Sequence, residues 1–255
     1  MDRHSSTPCS VCDGTGWKAV ETDGVRSVIR CDCFENARLD KLFARAGVPP
    51  RYQACSFETF NLPVRGLSPA IKTVLMKFVE EYPSTDCCGL LILGPCGIGK
   101  THLAVSVLRD LIYKRGVGGV FYDFRDLLKK IQNSYDSISQ TSEMQILTPV
   151  LESQVLVLDD LGAERPTEWV RDTFAYILNS RYNRKLTTLL TTNFDDRPAD
   201  VRILADGTRV PAKETLADRI GARLRSRIDE MCKVIRMEGF DFRETVIQQR
   251  YQGRK

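Results

Sequence analysis

From residue 89 onward the chain is punctuated by five short apolar runs, GLLIL, GVFYDF, VLVL, TTLLTT and KVIRM. Runs without polar alternation fit strands covered on both faces, and the stretches between them carry helical period or turn residues. THLAVSVLRDLIYK and ETLADRIGARLRSRIDEM repeat their apolar positions every three to four residues, as does SPAIKTVLMKFVEEY ahead of the first run. Strands alternating with helices predict an α/β fold whose sheet is mostly parallel and flanked by helices. One segment, DDRPADVRILADGTRVPA, breaks the rhythm: Asp206-Gly207 between short β-like runs predicts a small inserted hairpin. Three sections follow from the pattern. Residues 1–48 hold four cysteines and a hairpin signal, 49–86 read as a connecting segment with one helix, and 87–255 form the alternating domain.

The run VLVLDDLG raises the first chemical question, because a covered strand ends in two adjacent acids, Asp159 and Asp160. Strands of a parallel sheet present their chemistry at the carboxyl edge, and successive side chains point to opposite faces. The two acids are therefore expected at a rim, facing different ways and serving different partners. The plain alternative is a pair of solvated acids opening a turn before Gly162.

Upstream stands LILGPCGIGKTHL, in which Gly94, Gly99, Lys100 and Thr101 satisfy G-x-x-x-x-G-K-[ST] between an apolar run and a helical one. Such a loop, here Gly94, Pro95, Cys96, Gly97, Ile98 and Gly99, turns backbone N–H groups inward around phosphate oxygens, and the helix start adds its positive end. Lys100 is then expected on the β- and γ-phosphates of ATP, with the Thr101 hydroxyl and Asp159 holding Mg²⁺. Asp160 is placed to orient a water for attack on the γ-phosphate, although Asp has a shorter arm than Glu for that task. Asn193, at the tip of TTLLTT, either helps to position that water or forms a turn.

Cys9-Ser-Val-Cys12 and Cys31-Asp-Cys33 flank WKAVETDGVRSVIR, whose Asp23-Gly24 predicts a hairpin that brings the two pairs together. Four thiolates in tetrahedral array suit Zn²⁺, and CSVCDGTG has the form of a zinc-knuckle half-motif; free or redox-active thiols remain the other reading. The cysteines at 55, 87, 88, 96 and 232 lack ligand spacing.

Composition narrows the class. Charged residues at 27% and hydrophobic ones at 42% are soluble-globular values. No apolar run approaches the roughly 18 residues that span a bilayer, and MDRHSSTPCS has no apolar signal core, so a cytoplasmic protein without a membrane partner is expected. Nine cysteines without an export signal argue against a disulfide framework. The net charge of +4 is concentrated late, with twelve basic against seven acidic residues from Arg209 to Lys255. That excess permits a nucleic-acid partner and equally suits a solvated face.

The ordered set PPRYQACSFETF, GPCGIGKTHLA, VLVLDDLGAE, TTN, ARLRSRI and GFDFRE, over about residues 49–247, resembles the DnaC/IstB-like branch of AAA+ ATPases. The resemblance implies a P-loop NTPase core with ATP hydrolysis, a sensor-1 role for Asn193, an arginine finger at Arg227 and a sensor-2 role for Arg243. Arg223 and Arg227 lie four residues apart on one helix face, and without the family Arg227 would read as a surface arginine. A finger acts on a neighbour's nucleotide, so head-to-tail self-assembly into a ring or open spiral is implied. Lys129 and Lys130 with Tyr135, and Thr167 with Trp169 and Arg171, are candidate contacts for single-stranded DNA, cations beside aromatic platforms; Trp169 equally reads as core. The function expected is an ATP-dependent helicase loader in DNA replication that engages a replicative DNA helicase through its amino-terminal module. A transposition helper ATPase on the same fold and a nonhydrolysing, ATP-gated DNA-binding adaptor are the alternatives. A small-molecule kinase would need an acceptor site and a lid that the sequence does not offer.

Overall fold

The computed structural model describes residues 9–22, 24–60, 69–83, 89–135, 142–196, 201–203, 209–211 and 214–243. The amino-terminal section opens with a two-stranded antiparallel hairpin, β1 (Trp17–Thr22) and β2 (Val25–Arg30), in the register Trp17↔Arg30 to Thr22↔Val25. Asp23 of the expected turn lies outside the described residues, while Gly24 has the left-handed φ of 76° that such a turn requires. α1 (Asp32–Arg45) then carries this section onto the rest of the molecule. Tyr113 donates to the Asp40 carboxylate at 2.6 Å, the rings of Phe43 and Tyr113 lie 6.0 Å apart, and the Ala46 carbonyl accepts from the Phe121 amide at 2.7 Å. After a single 3-10 turn at Pro50–Tyr52, α2 (Ala70–Glu80) matches the helix read from SPAIKTVLMKFVEEY.

The five apolar runs form one five-stranded parallel sheet. β3 (Gly89–Leu93), β4 (Gly119–Asp123), β5 (Val155–Asp159), β6 (Thr187–Thr192) and β9 (Cys232–Arg236) lie side by side in the order β4-β5-β6-β3-β9. All pairs are parallel. Between them run α3 (Lys100–Arg115), α4 (Phe124–Asn133), α5 (Glu143–Glu152) and α6 (Glu168–Asn183). Two apolar clusters divide the core by sheet face. α3, α2 and Phe57 pack on one side around Leu90 and Ile92, and α4, α5 and α6 on the other around Leu91 and Leu158. β3, β5 and β6 are buried at every position, which is why they read as uninterrupted apolar or threonine runs.

Two sequence expectations are refined. β7 (Val201–Ile203) and β8 (Arg209–Pro211) pair antiparallel as the inserted hairpin, with the Asp206-Gly207 turn outside the described residues. The helix read across ETLADRIGARLRSRIDEM is two helices, α7 (Leu216–Ile220) and α8 (Ala222–Met231). Gly221, at φ 92° and ψ 143°, takes a positive φ that favours glycine where a helix needs αR geometry, so it closes one helix and opens the next. Arg223 and Arg227 still share α8.

Candidate functional site

β3 ends at Leu93 and the chain turns through Gly94 to Gly99 into the first turn of α3, so the loop of the G-x-x-x-x-G-K-T motif sits at the carboxyl edge of the sheet. Gly97 has φ 75°, and an added Cβ there would collide with the Asp241 carboxylate; the Phe242 amide donates to the Gly97 carbonyl at 3.2 Å. The segment after β9 therefore braces the loop from outside, and only glycine leaves room for it.

Lys100 is buried and points back along its own loop. Its ammonium donates to the Gly94 carbonyl at 2.9 Å, the Pro95 carbonyl at 2.7 Å and Asn193 Oδ1 at 2.6 Å. Burial pushes the Lys100 pKa down, opposed by nearby Cys96 and the carboxylates of Asp160 and Asp159. Thr101 donates to Asp159, 3.0 Å from each carboxylate oxygen, and Thr191 donates to Asp159 Oδ1 at 2.5 Å. Burial raises the Asp159 pKa, while the bonds from Thr191 and Thr101 pull it back. A carboxylate and a hydroxyl meeting in a half-dry cleft form a hard oxygen set of the kind that holds Mg²⁺ beside phosphates.

The two acids of VLVLDDLG both line this cleft, whereas strict strand alternation would turn them to opposite faces. The reason lies in the backbone. β5 ends at Asp159, and Asp160 takes a left-handed φ of 58°, its amide held by Thr191 Oγ1 at 2.9 Å. A left-handed non-glycine residue is strained and tends to mark a functional site. Their partners do differ: Asp159 takes Thr101, and Asp160 accepts from the Asn193 side-chain amide. Asn193 reaches both because β6 lies between β3 and β5, so a polar residue at its tip falls midway between Lys100 and Asp160. The cleft, of about 500 Å³, is also lined by Arg243 on one side and by Arg51, Tyr52 and Cys55 on another. The last three were not singled out in the sequence; their signal is PPRYQAC, whose proline-bounded 3-10 turn sets Arg51 and Tyr52 against the loop. Cys96 is exposed within the phosphate loop.

At the amino terminus, Cys9, Cys12, Cys31 and Cys33 form a cluster whose four sulfurs all lie within 4.8 Å of one another. Cys9 and Cys31 are 3.8 Å apart, and Cys12 and Cys33 are 3.3 Å apart. The Gly16 amide points at Cys12 Sγ from 3.3 Å, a knuckle made possible by φ 75° at Gly16. Cys31 stands at the N-cap of α1 and Cys33 in its first turn. Four sulfurs on a turn and a helix start fit a tetrahedral soft-metal site. Among the other cysteines, Cys55 and Cys232 are buried, and 87 and 88 lie outside the described residues.

Residues 76–245 match the family model of the IstB-like ATP binding protein. The chain belongs to that family. The replicative helicase loader DnaC of Escherichia coli strain K12 is 26% identical over 156 residues, 61% of this chain and 62% of that protein. The replicative helicase loader DnaI of Bacillus subtilis strain 168 is 31% identical over 164 residues, 64% of this chain and 50% of that protein. The chain thus spans between half and two thirds of these relatives' length. A crystal structure of the DnaC helicase loader superposes with a TM-score of 0.61 at 33% identity, covering 74% of this chain and 100% of that one. DnaI gives a TM-score of 0.58 at 27% identity, covering 79% and 98%. The replication initiator DnaA bound to AMPPCP and single-stranded DNA shares the fold, at 18% identity and a TM-score of 0.57, covering 81% and 56%. The AAA+ architecture of the IstB-like chain is thereby established.

Beyond the cleft, the remaining sequence-selected residues are dispersed over this IstB-like core. Arg227, half-buried on α8, donates to Asn179 of α6 and lies 5.2 Å from the Tyr182 ring centroid. It does not line its own protomer's cleft. Lys129 and Lys130 are exposed on α4, with the Lys130 ammonium 5.5 Å from the Tyr122 ring centroid. Thr167 caps α6, accepting from the Val170 amide at 3.3 Å, and Trp169 is partly buried against the second core cluster. Tyr135 is exposed and donates to Glu143 at 2.9 Å, and Arg171 donates to the Asp218 carbonyl at 3.0 Å. No helix among the described residues is long and apolar enough to cross a membrane.

Proposed function

We propose that this protein is an ATP-driven loader of a replicative DNA helicase. The observation that carries the reading is the Thr101–Asp159 and Lys100–Asn193–Asp160 constellation, set in a fold matched over the whole of the DnaC helicase loader structure. Lys100 binds the β- and γ-phosphates; Thr101 and Asp159 hold Mg²⁺, whose charge offsets that of the phosphates when it is bound. Asp160 accepts the proton of the attacking water, and Asn193, already hydrogen-bonded to Asp160, fixes where that water sits. Arg243 faces the nucleotide of its own chain, whereas Arg227 faces a neighbour's in a head-to-tail ring or spiral. Lys129, Lys130, Thr167 and Trp169 offer cations and an aromatic surface to single-stranded DNA. Residues 1–48 form the zinc-bearing module that engages the helicase, 49–86 the connection and 87–255 the ATPase.

Steady-state ATP turnover with and without single-stranded DNA, together with capture of partners from the native host, tests this reading. Turnover that DNA modulates and a captured helicase support it; capture of a transposase instead makes the protein a transposition helper, and absent turnover makes it an ATP-gated adaptor. Asp160→Asn keeps the side-chain shape and removes the base, so it should retain nucleotide affinity while kcat falls by about 10²–10⁴-fold. Full turnover in that variant would remove Asp160 from the chemistry.

The cysteine cluster is proposed as a zinc site with Cys9, Cys12, Cys31 and Cys33 as ligands. β2 is exposed at all six positions, so the hairpin has little apolar core of its own, and metal binding supplies much of its folding free energy. Protein purified without chelator should contain one zinc per chain by elemental analysis, and stripping the metal should unfold the hairpin before the ATPase core. A metal-free preparation with an intact hairpin would rule the site out.

A further inference from the structure

The loop after Asn193 ends in a carboxylate gripped by two arginines from distant parts of the chain. The Asp196 side chain is 7% exposed. It accepts both branches of the Arg236 guanidinium, Nη1 at Oδ1 and Nη2 at Oδ2, the latter at 2.8 Å. A third bond comes from Arg225 Nη2 at 2.6 Å. Arg225 is buried as well and reaches the Asp229 carboxylate, one turn along its own helix, at 2.6 Å. Burial alone would raise the Asp196 pKa, but the bonds from Arg236 and Arg225 hold it well below the usual carboxylate range.

Two of the three partners stand on elements that lead into the nucleotide cleft, and the third stands on α8, which does not line it. Asp196 lies three residues beyond Asn193 on the β6 exit. Arg236 ends β9, paired in register with Leu93 at the foot of the phosphate loop, and opens the segment that leads to Arg243. Arg225 stands on α8 between Arg223 and Arg227. Arg236 also lines a cavity of about 610 Å³ that meets the nucleotide cleft at Asn193, so the network stands directly behind that residue.

We propose that Asp196 is a positioning residue that couples Asn193 to α8 and to the Arg243 segment, so that nucleotide exchange moves all three together. A fork on a carboxylate fixes direction as well as distance, and low exposure strengthens each contact. Releasing the arginines would leave the buried Asp196 carboxylate without its cations, so displacement of the β6 exit carries α8 and the β9 tip with it. The inference rests on the nucleotide-binding reading above and goes beyond it in naming how the cleft communicates with the α8 surface.

Asp196→Asn keeps the shape and removes the charge that the two guanidiniums share. Coupling through such networks changes equilibria by a factor of about 2–30. The variant should therefore bind a fluorescent ATP analogue within about threefold of the unaltered protein while kcat falls by about tenfold or more, a KM-against-kcat split. ATP-dependent amide-exchange protection of residues 222–231 should be lost with it. Asp196→Glu, which retains the charge, should recover part of both, and adding Arg225→Met to Asp196→Asn should cause little further loss. If Asp196→Asn does not fold, Arg225→Lys is measured in the same way and carries the same expectation. An unchanged exchange response and kcat, or losses of affinity and melting temperature in step with the response per bound nucleotide intact, would reduce the network to packing and overturn the proposal. If the unaltered protein shows no turnover yet gains ATP-specific protection of α8, the loader reading fails and the coupling stands; if it binds no nucleotide, both fall.

Discussion

Replacing Lys100 with alanine is expected to remove ATP binding at ordinary nucleotide concentrations. The ammonium is the strongest cation offered to the phosphates from within the loop, and it is buried, so its bonds are little screened by water. Truncating one partner of a buried charge pair costs about 2–5 kcal/mol, or roughly 30- to 5,000-fold in affinity. The loop should survive the change. The carbonyls of Gly94 and Pro95 and the side-chain oxygen of Asn193, which the ammonium now satisfies, belong to residues that line the adjoining cavity of about 610 Å³, where water can replace it. Calorimetric titration of ATP into Lys100→Ala, beside a circular-dichroism spectrum, checks both halves. An affinity within threefold of the unaltered protein would mean that the loop amides alone hold the phosphates and that Lys100 has another task.

Much of this site is legible in the sequence because its elements are short and local. The loop, the two acids and the threonine are read from contiguous strings whose flanking period announces strand and helix, and the five apolar runs all became strands of the sheet. Local pattern does not state strand order. That β6 lies between β3 and β5 is what gives Asn193 both Lys100 and Asp160 as partners, and no string of residues encodes it. Alternation fails at Asp160 because the strand ends at Asp159, one residue past the apolar run, and the left-handed residue that follows rotates the second acid into the cleft. α1 escaped for a different reason. DCFENARLDKLFAR buries only Leu39 fully, and its cap is Cys31, which makes no side-chain cap bond, so neither period nor start signal stands out. The Asp196 network joins residues 29 and 40 positions apart, and charged residues at such separation read as solvated surface until the fold brings them together.

The placement of Arg227 gives the second large effect. Within its own protomer the side chain is turned to Asn179 and Tyr182 of α6, away from the cleft that holds Asp160. If it serves a neighbouring subunit, Arg227→Ala should spare nucleotide binding and abolish most turnover, as Asp160→Asn does for a separate reason. Mixing the two variants then distinguishes action across an interface from action within a chain. Arg227→Ala keeps its own Asp160 and Asp160→Asn keeps its own Arg227, so a fraction of interfaces in a mixed assembly joins an intact acid to an intact arginine. An arginine finger contributes on the order of 10³-fold or more in rate, so even a minority of restored interfaces should rise well above both inactive parents. The rate should peak near equal proportions and fall on dilution below the assembly concentration, since the restored unit is an interface and not a chain. A mixture that shows only the summed residual rates, with both variants binding ATP and co-assembling by light scattering, would confine Arg227 to its bond with Asn179 and leave the head-to-tail mechanism without its finger.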